Sequence, residues 1–290
     1  MSSLASVLKR SPNKYEGKLR DLDDFPIVES NYLVKNWLPK GKSISIFYGP
    51  PSVGKTFFAL DMSFHVASGL PWYGNRVTQA PVTYICTEGT GSFGNRINAV
   101  RIAKPELHDK AIGHLRFLTE HVNFYKDVVD LNLFVEMHRD TVPPDLIIVD
   151  TVARAMSGAD ENTSRDMGKF VENLTKIGQG LNAHIIGIHH TGKEGERGPR
   201  GSNSLPASAD TVLALEKTDD VIRVSQEKQR DGSTDFEFNY ALKNTVLGQD
   251  KDSDAIESCV VEKAGPKLPD TQQKDSSITM VRATKKHGNM

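Results

Sequence analysis

Apolar residues follow two rhythms along this chain. Short unbroken runs, rich in Ile, Val and aromatic residues, predict buried strands at 43–48, 82–87, 115–118, 145–150 and 184–190. Between them, apolar residues recur every three or four positions and predict helices. One carries Phe57, Phe58, Leu60, Met62 and Phe64, with no Pro or Gly before Gly69. A second runs through Arg96, Ile97, Val100 and Ile102 and halts near Pro105. A third, from Lys126 to His138, carries Val128, Val129, Leu131, Leu133 and Phe134. A fourth presents Met167, Phe170, Val171, Leu174 and Ile177 on one face, with Thr163 or Ser164 as its cap. Strand alternating with helix argues for an α/β fold, with a mostly parallel central sheet flanked by helices. Beyond Ala209 the rhythm changes. Strands at 211–215, 221–226 and 236–242 are separated by turns alone, which predicts an antiparallel β-extension on the sheet edge.

Polarity at the two ends sets the expected organisation. Residues 1–30 are polar and weakly periodic and read as an N-terminal arm, 31–248 as the core, and 249–290 as a polar, flexible tail. With 290 residues, 38 % of them hydrophobic and 25 % charged, the chain can bury one large core. A formal net charge of −1 leaves no global positive field to announce nucleic acid, although a local basic groove is compatible with it. Cys86 and Cys259 are too few for a disulfide framework. The N-terminus lacks the apolar stretch of a signal peptide, and no apolar run approaches 18 residues. A cytoplasmic protein without membrane contact is the expectation.

The strongest chemical signal lies between the first strand and the first helix. Gly49-Pro50-Pro51-Ser52-Val53-Gly54-Lys55-Thr56 fits the phosphate-loop pattern G-x-x-x-x-G-K-[ST] completely. Its two glycines permit a tight turn whose successive N–H groups point at phosphate oxygens, and the new helix adds its positive dipole end. Lys55 is expected to reach the β/γ-phosphates, and the Thr56 hydroxyl to ligate Mg²⁺. The segment from Gly49 through Phe57 is therefore the expected cradle for ATP.

Other residues take roles around that cradle. Asp150 closes the most apolar strand, the place of the carboxylate that holds phosphate-loop Mg²⁺. Glu88 ends the strand at 82–87 and is the candidate for orienting the attacking water. His189 and His190 end the next strand, where one of them, His189 in our assignment, would sense the γ-phosphate. The segment 191–202 is glycine-rich, charged and long for a connector, and its Lys193, Arg197 and Arg200 are candidates for gripping a nucleic-acid backbone. It holds no aromatic residue for stacking bases, and Glu194 and Glu196 offset much of its charge. Lys228-Gln229-Arg230 reads as a basic hairpin turn projecting two cations away from the sheet. Such a pair suits an arginine finger that enters a neighbour's ATP site.

Together these residues resemble the RecA-like P-loop ATPases and, within them, the RepA-like hexameric replicative helicases of plasmids and phages. The resemblance spans about Leu33 to Leu242. It is carried by Gly49 to Thr56, Gly69-Leu70-Pro71-Trp72-Tyr73-Gly74, Val82 to Gly89, Leu146 to Asp150, His189-His190-Thr191-Gly192-Lys193, and Arg200-Gly201-Ser202 with Ala209-Asp210. It implies that Glu88 activates water and that Lys228 and Arg230 act in trans. It also implies that the loops after the Asp150 and His190 strands face a central channel, which adds Arg154 to the candidate DNA contacts. The implied activity is that of an ATP-driven helicase, a hexameric ring by resemblance, moving on single-stranded DNA in replication. Any primase or single-strand-binding protein would then be a separate partner. A RecA-like annealing or recombination ATPase, or a DNA-independent regulatory ATPase, would share the same cradle.

Overall fold

In a computed structural model, residues 17–27, 31–126, 128–139, 141–191, 199, 204–230 and 232–265 are described. A small two-stranded sheet, β1 (Tyr32–Val34) and β2 (Leu38–Pro39), leads into β3 (Ile44–Gly49) and α1 (Lys55–Ser68). There follow β4 (Val82–Cys86), α2 (Thr90–Ala103), α3 (Pro105–Ala111), β5 (Leu115–Leu118), α4 (Val128–Arg139), β6 (Leu146–Asp150), α5 (Val152–Ala155), α6 (Ser164–Leu181), β7 (His184–His190) and α7 (Ser204–Ser208). Four strands close the described chain: β8 (Thr211–Thr218), β9 (Val221–Gln229), β10 (Glu237–Gln249) and β11 (Ala255–Lys263). One nine-stranded sheet runs β11-β10-β9-β8-β3-β7-β6-β4-β5. It is parallel from β8 to β5 and antiparallel from β8 outward to β11.

Side chains alternate between the two faces of each strand, so the sheet has two cores. Phe47, Tyr84, Cys86, Ile148, Ile186 and Leu213 pack beneath α1, α2 and α3. Ile46, Ile85, Ile147, Val149, Ile185 and Val212 pack against α4 and α6. Helix α6 starts as its cap residue predicts, with the Thr163 hydroxyl accepting the Asp166 N–H at 3.3 Å. Pro105 does not simply end a helix. It occupies the first turn of α3, where a missing N–H costs nothing, and so starts a second helix after α2.

The β-extension is larger than its sequence suggests. Strand β10 continues past residue 242 to Gln249, and β11 pairs with it from Tyr240↔Lys263 to Gln249↔Ala255. Residues 249–263 therefore do not belong to a flexible tail. The charged residues Glu257, Glu262 and Lys263 mask the strand in the sequence, yet Val260 and Val261 are buried against the α1 face. Residues 1–16 and 266–290, the ends of the expected arm and tail, lie outside the described residues.

An aromatic cluster locks this extension to the parallel part of the sheet and its helices. Trp72 meets Phe238 at 4.5 Å and Trp37 at 5.1 Å, while Phe58 stacks on Tyr240 at 5.7 Å. Below it, buried Asp61 accepts the Trp72 indole N–H (3.1 Å) and pairs with Lys104 (2.6 Å). The Tyr73 hydroxyl donates to the Val261 carbonyl at 2.8 Å. The turn-rich crossover Gly69 to Gly74 is thus a packed joint between α1, the α2–α3 junction and β11.

Candidate functional site

Gly49, at the end of β3, is held against β8: a Cβ there would stand 2.5 Å from the Leu215 carbonyl oxygen. This glycine is required by close approach as well as by the turn. The loop then passes through left-handed backbone at Ser52 (φ 62°) and Gly54 (φ 99°). Such alternation turns successive N–H groups toward one concavity, an anion nest at the start of α1. The extension braces the nest, with the Tyr240 hydroxyl donating to the Gly54 carbonyl at 3.2 Å.

Lys55 is almost fully buried, and its ammonium donates to the carbonyls of Gly49 (2.8 Å) and Pro50 (2.7 Å). Its Nζ also lies 3.3 Å from His190 Nδ1. Burial pulls its pKa down to about 8, with Asp150 and Glu88 opposing the shift. The Thr56 hydroxyl bonds to Asp150, and the Tyr84 hydroxyl donates to Asp150 Oδ2 at 2.7 Å. Burial raises the Asp150 carboxyl, against those two hydrogen bonds and the Arg96 charge. Among the described residues no cluster of three or more His, Cys, Asp or Glu could hold a metal ion. A hydroxyl beside one carboxylate nonetheless suits a cation that takes its other ligands from phosphate and water.

Glu88 stands at the same edge, beyond β4. Its Oε1 accepts the Thr151 hydroxyl at 2.8 Å and lies 3.5 Å from Arg154 Nε. Arg154, a candidate DNA contact, is in α5 directly after β6 and is largely exposed. It thus borders the carboxylate assigned to water activation. Three more candidate DNA contacts, Lys193, Arg197 and Arg200, lie outside the described residues.

Two assignments change. His189 alternates with His190 along β7, so it shares the face of Ile185 and Gly187, toward the α6 side. The histidine beside Lys55 is His190, which replaces His189 as the candidate for sensing the γ-phosphate. Lys228 and Arg230 do not project freely from a hairpin turn. Lys228 is in β9, with Nζ on the carbonyls of Pro206 (3.1 Å) and Ala207 (2.8 Å). Arg230 pairs with Asp210 at 2.7 Å.

Several site residues escaped the sequence reading. Tyr84 sits inside a strand that looked wholly structural, and Tyr240 belongs to the extension. Arg96 lies over Phe57, with 5.1 Å to the ring centroid, and its charge reaches Asp150. Its one sequence signal is its place in the helix that follows Glu88. Burial, joined by the Asp150 charge, pushes the Cys86 thiol up to about 11, away from the thiolate form.

A family model described as an AAA domain, AAA_25, matches residues 10–196, more than half of the chain. The chain belongs to the AAA_25 family. No curated protein matches it. Among solved structures it is similar to one described as an ATPase domain, at 17 % identity and a TM-score of 0.52, covering 70 % of this chain and 82 % of that one. The RadB recombinase is similar at 18 % identity and a TM-score of 0.48, covering 70 % and 89 %. The likeness to the solved ATPase domain is one of fold, and the sheet order agrees with it: this AAA_25 chain has a RecA-like P-loop fold. Among its described residues, no helix is long and apolar enough to cross a membrane.

Proposed function

We propose that this protein is a ring-forming ATPase motor, hexameric by its sequence resemblance, that moves on single-stranded DNA during phage or plasmid replication. The triphosphate sits in the nest from Gly49 to Phe57, held by Lys55, with Thr56 and Asp150 holding Mg²⁺. Bound Mg²⁺ neutralises charge on the phosphates. Glu88 orients water, and Thr151 and Arg154 fix that carboxylate.

One observation supports the trans reading of Arg230. Thr211 pairs with both Ser45 and Gln229, which places Arg230 at the level of Ile44, at the opposite end of β3 from Gly49. Five strand steps separate the two levels, about 17 Å. Arg230 therefore cannot reach its own protomer's triphosphate, and a finger role requires a neighbour. Arg154, with the candidates Lys193, Arg197 and Arg200, would contact the strand's phosphates.

The test has two parts. Arg230→Ala should bind ATP yet lose turnover by about 10³-fold or more, the scale of an arginine finger, with wild-type subunits partly restoring it in mixed assemblies. A forked duplex should be unwound only with ATP. Turnover stimulated by single strands without displacement, together with annealing that needs no hydrolysis, would favour a recombination ATPase instead.

A further inference from the structure

A tyrosine hydroxyl lies inside the apolar face that β4 and β6 turn toward α1. Tyr84, Cys86, Ile148 and Asp150 share that face, with Tyr84 level with Ile148 and Cys86 level with Asp150. Tyr84 therefore reaches diagonally to Asp150, and its hydroxyl donates to Oδ2 at 2.7 Å. Its ring has no exposure and is held from two sides. Phe93 of α2 lies 5.4 Å away, and Phe117, its pairing partner in β5, lies 5.9 Å away, centroid to centroid. Phe93 and Phe117 also meet each other edge-on at 5.5 Å. Packing thus aims the hydroxyl, and the hydroxyl aims the carboxylate. A phenylalanine would fill the same apolar space, so packing alone does not call for the oxygen.

Asp150 is 3 % exposed, and the Thr56 hydroxyl bonds to the same carboxylate. Turning that carboxylate to present both oxygens beside Thr56 would break the Tyr84 bond. A fully buried hydroxyl would then lose its acceptor, which costs more than an exposed bond would. The restriction bears on the choice of cation. Mg²⁺ demands near-octahedral geometry, keeps several waters and takes about one or two carboxylates. Ca²⁺ is larger, gathers about six to eight oxygens and accepts one or both oxygens of a carboxylate.

We infer that Tyr84 is a positioning residue for Asp150: its hydroxyl engages Oδ2, so the carboxylate serves a cation beside Thr56 through a single oxygen, and the site favours Mg²⁺ over Ca²⁺. Tyr84 acts through Asp150 alone. The inference rests on the assignment of Thr56 and Asp150 to the divalent cation above.

Tyr84→Phe tests this, because it keeps the ring and its packing and deletes only the hydroxyl. Full-length variant and wild type bind a fluorescent, non-hydrolysable ATP analogue at increasing Mg²⁺ or increasing Ca²⁺, so turnover does not enter the measurement. The Mg²⁺ concentration for half-saturation should rise about 10-fold or more in the variant, the usual cost of losing the group behind a metal ligand. The Ca²⁺ value should rise less, so that the preference for Mg²⁺ narrows. Analogue affinity without any divalent cation should match wild type. Unchanged Mg²⁺ and Ca²⁺ values, even with a lower urea midpoint, would make Tyr84 purely structural and overturn the inference. Equal weakening for both cations, or an equal loss with no metal present, overturns it as well. Asp150→Asn separates this failure from failure of the metal assignment. If Asp150→Asn responds to Mg²⁺ as wild type does, the assignment itself fails. If Asp150→Asn loses the Mg²⁺ response while Tyr84→Phe keeps it, the assignment stands and the role of Tyr84 is refuted. In the Asp150→Asn background, Tyr84→Phe should change neither titration further, and an added loss there would show that Tyr84 does not act through Asp150.

Discussion

Lys55 combines two demands that pull its titration in opposite directions. Binding polyphosphate requires a cation, yet the cradle that aims the cation also desolvates it and lowers its pKa to about 8. A triphosphate adds negative charge beside the ammonium and restores the proton. Nucleotide binding near pH 8 should therefore take up about half a proton per site, and affinity should fall as pH rises above that value. Calorimetry in buffers of contrasting ionisation heat measures the uptake directly, and Lys55→Arg, which stays charged, should abolish it. At this scale the positions of Lys55 and Thr56 at the start of α1, of Asp150 at the end of β6 and of Glu88 just beyond β4 were legible, because motif spacing and strand ends mark them. The choice between His189 and His190 was not, since it turns on which face of β7 meets α1, and one residue of register reverses it.

Among the elements, the crossover Gly69 to Gly74 and the extension β8–β11 depend on each other. Trp72 is fully buried between Trp37, Phe58 and Phe238, and its indole N–H is satisfied by Asp61. Trp72→Ala should destabilise the protein by about 3–5 kcal/mol, because it opens a large cavity and also strips a partner from a buried carboxylate. Urea unfolding reads this as a lower midpoint. The strands of the ATPase core were visible as apolar runs, since burial on both faces demands them. Strand β11 was not, because one of its faces is solvated and its charges, such as Glu262 paired with Lys243 at 2.8 Å, mimic a polar tail.

For the whole molecule, acid should weaken the fold through a histidine far from the chemistry. His184 starts β7 with no exposure, its ring between the hydroxyls of Ser43 and Ser45, and burial pulls its pKa to about 3. The unfolded chain takes up this proton near pH 6.5, whereas the folded protein resists it. His184's contribution is therefore complete above about pH 6.5 and is lost progressively as pH falls toward about 3, by up to about 1.4 kcal/mol per pH unit. His65 is also held down by burial and adds in the same direction, while raised Asp150 opposes them once the pH drops toward its own titration. Urea midpoints at about pH 7 and about pH 5 should differ markedly in wild type. They should differ less in His184→Gln, which has no proton to gain.

The chain's own order of residues determined the nucleotide cradle, the alternation of strand and helix, and the carboxylates at the strand ends. Each of these follows from local rules of spacing, burial and turn geometry. Tertiary structure alone decided which histidine faces the ammonium, that Tyr240 braces the loop from a segment far along the chain, and that Arg230 lies a full strand length from its own cradle. Those outcomes depend on strand register and sheet order. Both are set by packing between segments distant in sequence, so no local pattern records them.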